Sequence, residues 1–336
     1  MSSSSSPPLV VAVTGAAGQL AYALLPMILN GHLFGPNQPV LLHLLDVAPA
    51  MEVLRGLVME IEDCMTPLLR GIMATESPAA AFTGADVVLL LGASPVKAVS
   101  LDPISNVHLN ARVHRDYGRA LEQHAKPTTR VVVAGHPCNI NAMICMEFAP
   151  SIPRRHFAAL SRLDLSRVEV RVAQRLGVVP SQIKNLIMWG SIAVNCTWAD
   201  VQFAYVQDYP NVGDRTPLLD LIGDPQSAQL DGPLSHAASL EAATKSARLS
   251  GAAACARQLR EWWFGTPEGE ITSMAVVSNG EYGVKPGVIT SLPVRCTNGE
   301  YEVVTGLDIS ERSLRAIRMS TEAIDEQFAE LMAALT

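Results

Sequence analysis

The 336-residue sequence has no lysine or arginine before Arg55. A secretory signal needs a charged start and a transit peptide needs arginines, so neither is expected. The opening MSSSSSPP reads as a low-complexity, disordered tail over residues 1–8. No apolar run reaches the length that spans a bilayer, and Ala334, Leu335 and Thr336 do not make a peroxisomal-type tripeptide. A cytoplasmic protein with no membrane partner is expected. Basic runs are missing too, and 25 basic against 32 acidic residues leave a mild net charge of −7, which argues against nucleic acid as a partner. The six cysteines (Cys64, Cys138, Cys145, Cys196, Cys255, Cys296) form no C-x-x-C pair and no ligand spacing with histidine. Free thiols in a reducing compartment, and no metal site, are expected.

What is present is organised around Val10 to Leu25, VVAVTGAAGQLAYALL. It reads as a buried strand, a tight glycine turn and the start of a helix. Gly15 can take dihedrals that a side chain forbids, and Gly18, without a Cβ, lets the main chain approach a pyrophosphate at a helix N-terminus. A second strand, Val40 to Leu45, ends in Asp46, placed to accept the hydroxyls of an adenosine ribose. Its charge repels a 2′-phosphate and favours NAD over NADP. The distance from Gly15 to Asp46 exceeds the usual spacing of about 20 residues, and the loop-like stretch Asn30 to Pro39 accounts for the excess.

Further along, Met51 to Asp63 has helical apolar spacing, whereas ADVVLLLG, TRVVVAG and NLIMWG are continuous apolar runs suited to strands buried on both faces. Their alternation with helices predicts an α/β fold with a Rossmann-type doubly wound parallel sheet over residues 9–155. A second, α+β domain is expected over residues 156–336. It would hold a long helix from about Ser239 to Trp263 and two alternating segments with Asn-Gly turns at Asn279 and Asn298. A final amphipathic helix from Ser310 to Leu335 would have Ser310 as its cap and Glu311 in its first turn.

Seven segments, VTGAAGQLAYALL, LLDVAP, GLVMEIEDC, APSIPRRHF, SRLDLSR, WWFGTPEGE and SNGEYGV, occur in an order that resembles cytosolic-type NAD-dependent malate dehydrogenases of the lactate/malate dehydrogenase superfamily. The resemblance implies hydride transfer between NAD and C2 of a 2-hydroxy acid, with malate and oxaloacetate as the family's pair. It also implies pairing into dimers. It places Gly15, Gly18, Gln19, Asp46 and Asn110 at family NAD contacts, with Ser246 near the nicotinamide. Asp164 matches the aspartate that orients a catalytic histidine, and Arg167 the arginine that holds the substrate's C1 carboxylate. Three residues apart, both fall on one helix face.

The departures from that pattern concern the chemistry. Where the family has its histidine, this chain reads Trp189, Gly190, Ser191, Ile192, and no histidine lies between His156 and His236. In the segment from Gly92 to Asn106, Val96 stands where one family arginine belongs, and Asp102 or Pro103 where the second does. Lys97 remains as a cation but lacks the planar fork that grips a carboxylate. His136 replaces an asparagine before Pro137. It has two readings: a substitute acid/base near the nicotinamide, or a polar group bonded to backbone. The remaining histidines are read as lying in loops or on helix faces.

Losing a general acid/base costs roughly 10² to 10⁴ in rate, and each missing charged hydrogen bond about 1.5 to 3 kcal/mol. Malate dehydrogenase activity is therefore expected to be lost or strongly impaired. Two alternatives stay open: an active 2-hydroxy acid dehydrogenase of changed specificity, and a non-enzymatic dimer partner of an active homologue. Without an imidazole, Asp164 is expected to need another donor or a proton.

Overall fold

The computed structural model describes residues 6–92, 103–191, 196–223 and 247–335. The chain forms two compact units, Met1–Leu160 with Asp325–Thr336, and Ser161–Ile324.

In the first unit strands alternate with helices: β1 Leu9–Thr14, α1 Gln19–Leu29, β2 Val40–Leu45, α2 Met51–Asp63, β3 Leu69–Thr75, α3 Pro78–Phe82, β4 Val87–Leu90, α4 Pro103–His124, β5 Arg130–Val133, α5 Cys138–Glu147 and β6 Phe157–Ala159. The strands lie in the order β3-β2-β1-β4-β5-β6 and every pair is parallel, as the alternation predicted. The order reverses between β1 and β4, and ligands of such sheets gather at the carboxyl ends beside that reversal. The register makes those ends coincide. Thr14 lies opposite both Leu45 and Leu90, and Leu90 opposite Val133. Gly15, Asp46, Gly92 and His136 therefore all follow strand ends at one edge of the sheet.

Val11, Val13, Leu42, Leu44, Leu89 and Val132 are fully buried, the burial their apolar runs imply. The helix α5 is buried along nearly its whole length, Asn139 and Asn141 included. It packs against α4 at Gly118, where a Cβ would lie 2.6 Å from the Cys145 carbonyl oxygen.

The second unit contains α6 Arg162–Leu176, β7 Ile183–Lys184, β8 Ile187–Ser191, β9 Cys196–Asp200, β10 Tyr205–Gln207, β11 Arg215–Pro217, α7 Leu218–Ile222, α8 Arg248–Phe264, β12 Thr272–Val277, β13 Ile289–Thr297 and β14 Glu300–Val303. Its pairings are antiparallel: β12 with β13, β13 with β8 and β14, and β8 with β9. NLIMWG is thus a buried strand as expected, but its pairings are antiparallel rather than parallel. A run buried on both faces carries no signal of strand direction. Leu165, Val168 and Val172 of α6 pack with Met188, Val206 and Leu218 in this unit's core.

Asn298 and Gly299, at φ 50° and 84°, form the two-residue turn between β13 and β14. Asn279 does not turn a tight hairpin. Val277 pairs with Ile289, so the connection runs through a longer loop with a 3-10 turn at Glu281–Gly283. Nor does β12 alternate, for all six of its residues are buried. Among the described residues the expected long helix runs over Arg248–Phe264, and residues 239–246 lie outside them. The last helix, α9, spans Glu311–Leu335, and Ser310 Oγ accepts the Ser313 N–H at 3.1 Å, the anticipated cap. No helix of the described residues is long and apolar enough to cross a membrane.

Candidate active site

The candidate residues fall into two groups, a first platform in the first unit and a second platform in the second. On the first, Gly15 at φ 61° turns the chain sharply out of β1. A Cβ there would lie 2.6 Å from Gly92 Cα, so two backbones already fill the space a side chain would need. Thr14 ties them, its Oγ1 accepting the Gly92 N–H at 3.3 Å. The turn closes with Gly18 N–H donating to the Gly15 carbonyl at 2.9 Å. Gly18 then precedes α1 as an N-cap that supplies no side-chain bond, and the first turn of α1 holds no acidic residue. Such an end offers backbone N–H groups and a partial positive charge to an anion. Gln19, the first residue of α1, is exposed there.

Asp46 is fixed to the same turn. Its Oδ2 accepts the Ala17 N–H and its Oδ1 the Val47 N–H, both at 2.8 Å. Each oxygen keeps a second lone pair, so the carboxylate is aimed by backbone and can still accept hydroxyls. Asn110, on α4, is 1 % exposed, and its carbonyl lies 2.8 Å from Nδ1 of His114 one turn later.

Two residues of this platform carried no sequence signal. Tyr117, on α4, bonds Thr14 through its hydroxyl, and burial pushes its pKa up to about 12. His114 is not on a solvated helix face but wholly buried, edge-on to Tyr117 at 5.8 Å between ring centroids. Burial pulls its pKa down to about 4, against the smaller opposing effect of the bond to Asn110. Its Nε2 has no hydrogen-bond partner among the described residues. His43, also read as a loop or helix residue, lies in β2, with Nδ1 at 2.8 Å from the Ala81 carbonyl. His136 follows the end of β5 and is exposed, across a cis peptide from Pro137.

The second platform is the start of α6. Its first N–H groups are capped from another helix: Gln258 of α8, 2 % exposed, accepts the N–H of both Ser161 and Arg162 at 3.3 Å through Oε1. That cap fixes the first turn, and with it Asp164 and Arg167. As their spacing predicted, the two meet, with Arg167 Nη1 donating to Asp164 Oδ1 at 3.2 Å. Both side chains are largely buried, 8 % exposed for Arg167 and 16 % for Asp164. The donor Asp164 was expected to require includes this guanidinium.

β8 is anchored just before position 192, where the resemblance implied a histidine. Trp189 is fully buried, and its indole N–H donates to Asp200 Oδ2 at 3.3 Å. Ser313 donates to the same oxygen at 2.7 Å and the Gln202 N–H to Oδ1 at 3.0 Å, so this buried carboxylate is well supplied with donors. Ile192 itself lies outside the described residues, as do Val96, Lys97, Asp102 and Ser246. Pro103 opens α4, and nothing is described of its side chain.

The lactate/malate dehydrogenase NAD-binding domain matches residues 9–158, and the alpha/beta C-terminal domain of the same dehydrogenases matches residues 161–334. The chain belongs to the lactate/malate dehydrogenase family. Cytoplasmic malate dehydrogenase of Medicago sativa is 40 % identical over 326 residues, covering 95 % of this chain and 96 % of its own. A crystal structure of malate dehydrogenase from Naegleria fowleri superposes with a TM-score of 0.89 at 33 % identity, over 98 % of this chain and 99 % of that one. Trichomonas vaginalis lactate dehydrogenase in complex with NADH and oxamate gives 0.89 at 30 % identity, over 97 % and 99 %.

As in the rest of the family, the cofactor is NAD, and the first platform fits it. The cleared backbone at Gly15 and the open end of α1 suit a pyrophosphate, and Asp46 suits a ribose diol. NAD supplies the acceptor for a hydride. The second platform holds a largely buried carboxylate and guanidinium, and the guanidinium is of the type that grips a carboxylate-bearing ligand.

Proposed function

We propose that this chain binds NAD as its family does and has lost, or retains only weakly, the oxidation of malate to oxaloacetate. The observation that carries this reading is Ile192 in the place of the family's catalytic histidine. An alkyl side chain accepts no proton, so an alcohol would have to release hydride while still protonated, far from the transition state that general-base catalysis favours. Val96, and Asp102 or Pro103, remove the two arginines of the preceding loop as well.

The test is a titration of purified protein with NADH, followed by nicotinamide fluorescence, with oxaloacetate, pyruvate and an aryl pyruvate then added in turn. The expected result is saturable binding without turnover. NADH oxidation by oxaloacetate at ordinary dehydrogenase rates would overturn the proposal. Oxidation by another 2-oxo acid would favour the second reading, an active dehydrogenase of changed specificity, which Arg167 supports because every 2-oxo acid keeps the carboxylate it would hold. His136, exposed at the end of β5, would then be the first proton donor to substitute. A cytoplasmic location is part of the proposal. So is self-association, for which α2 leaves Val53 and Met59, 61 % and 66 % exposed, on either side of Gly56. Co-purification with an active malate dehydrogenase, in place of self-association, would point to the non-enzymatic partner role.

A further inference from the structure

Within the second unit, a cavity of about 350 Å³ lies among α6, the chain around β7, α8 and the segment leading into β12. That is within the size range of small-molecule sites, roughly 300–1,000 Å³. Its walls hold three cations and three carboxylates, and two of each are spent on one another. Arg162 grips Glu261 with both arms of its fork, Nη2 to Oε1 at 2.8 Å and Nη1 to Oε2 at 2.9 Å, and also bonds the Thr272 hydroxyl. Lys184 Nζ lies 2.9 Å and 3.0 Å from the two oxygens of Glu270.

Glu169 and Arg257 are left. Glu169 is half-buried on α6, Arg257 is exposed on α8, and neither makes a hydrogen bond or ion pair among the described residues. Burial pushes the Glu169 pKa up, while Arg162, Arg257 and Lys184 pull it down and Glu261 pushes it up. On α8, Arg257 precedes Glu261 by one turn; on α6, Glu169 follows Arg162 by two. The cavity thus has one closed rung, Arg162 to Glu261, and one open rung of the same chemistry, Glu169 to Arg257. Leu165, Ile183 and Ile271 supply apolar wall.

We propose that this cavity is a binding site for a small zwitterion of the α-amino acid class, whose ammonium meets Glu169 and whose carboxylate meets Arg257. The ligand completes the open rung with the two charges the open residues lack. Its side chain takes the remaining space against the apolar wall. The guanidinium suits a carboxylate held in two places, and the carboxyl of Glu169 suits an ammonium with three donors. The site is separate in kind from the proposed NAD function, since nothing in it takes part in hydride or proton transfer.

The test is calorimetric titration of the full-length protein with neutral L-α-amino acids, beginning with L-alanine, in the presence and absence of NADH. Ethylamine and propionate, which are L-alanine without its carboxylate and without its ammonium, are the controls. The expected result is saturable binding in the micromolar to millimolar range, at least about tenfold weaker in Glu169→Gln and again in Arg257→Gln, with each half-molecule weaker than the whole. Arg257→Gln alters an exposed residue and keeps the test open should Glu169→Gln fold poorly. No saturation by any neutral amino acid up to about 10 mM, or binding that both substitutions leave unchanged, would overturn the proposal. The open rung would then be an ion pair awaiting a side-chain rotation. Because the readout is heat of binding, failure here says nothing of NAD binding, and failure of NAD binding says nothing of this site.

Discussion

At the ends of β1 and β2, Gly15, Gly18 and Asp46 keep the residue types of an NAD site, and each is held by backbone in a geometry suited to it. At the start of α6, Asp164 and Arg167 bond one another, and on the proposed reading Ile192 stands where a histidine would serve them. The two platforms therefore differ in what maintains them. The first is determined by shape: Gly15 faces Gly92 so closely that any other residue disturbs the fold as well as the cofactor. The second is positioned by a side chain, Gln258, which caps the start of α6 through the N–H groups of Ser161 and Arg162. On the proposed function, binding rests on the first support and chemistry would rest on the second.

The largest expected effect would break that comparison. On the proposed function, Ile192→His is expected to leave malate turnover at least about 100-fold below ordinary malate dehydrogenase rates, because Val96 and Asp102 or Pro103 would still stand in place of the loop arginines. Steady-state rates with malate and NAD, for the substitution alone, are the measurement. Near-normal rates would show that the second platform had kept everything but its base. Next in size is Gly15→Ala. A Cβ 2.6 Å from Gly92 Cα, on a residue at φ 61°, must move one of the two loops. NADH affinity should fall on the order of 100-fold, with the backbone shift acting through lost phosphate contacts. Unchanged affinity by fluorescence titration would mean the glycine turn is not where the cofactor is held.

Much of this architecture could be read from the sequence, and the reasons are local. β2 and α2 have the predicted bounds, Val40–Leu45 and Met51–Asp63, because a continuous apolar run and a 3.6-residue period are each unambiguous at that length. The cap at Ser310 and the turn at Asn298 and Gly299 are likewise decided by neighbours in the chain. What escaped is non-local or lacks a period. β3 contains Arg70 and Gly71 and has no fully buried residue, so no apolar run announces it. α5 is buried on nearly all sides and therefore shows no amphipathic stripe. Gln258 reaches a helix start 96 residues away. The pairing of Asp164 with Arg167 followed from their spacing, but the cap that positions both did not. His114 was misread because a polar residue on a helix is ordinarily solvated, and its burial depends on how α4 packs rather than on its own type.

The smallest effect sharpens the comparison by asking what the first platform tolerates. His114 sits one turn beyond Asn110, fully buried, with its Nδ1 at the Asn110 carbonyl and a pKa lowered to about 4 by burial. In the unfolded chain a histidine titrates near 6.5. Between those values the unfolded state binds a proton that the folded state refuses, so stability falls as pH drops through that window and is unaffected by this residue above about 7. At about 1.4 kcal/mol per pH unit, the loss between pH 7 and pH 5 is on the order of 2 kcal/mol. Urea unfolding midpoints at the two pH values, for the wild type and for His114→Phe, measure it. The substitution should remove most of that acid sensitivity, at a small cost at pH 7 from the lost bond to Asn110. If both proteins lose stability equally on acidification, the acid-sensitive element lies elsewhere, and the first platform is less dependent on the packing of α4 than the burial of His114 implies.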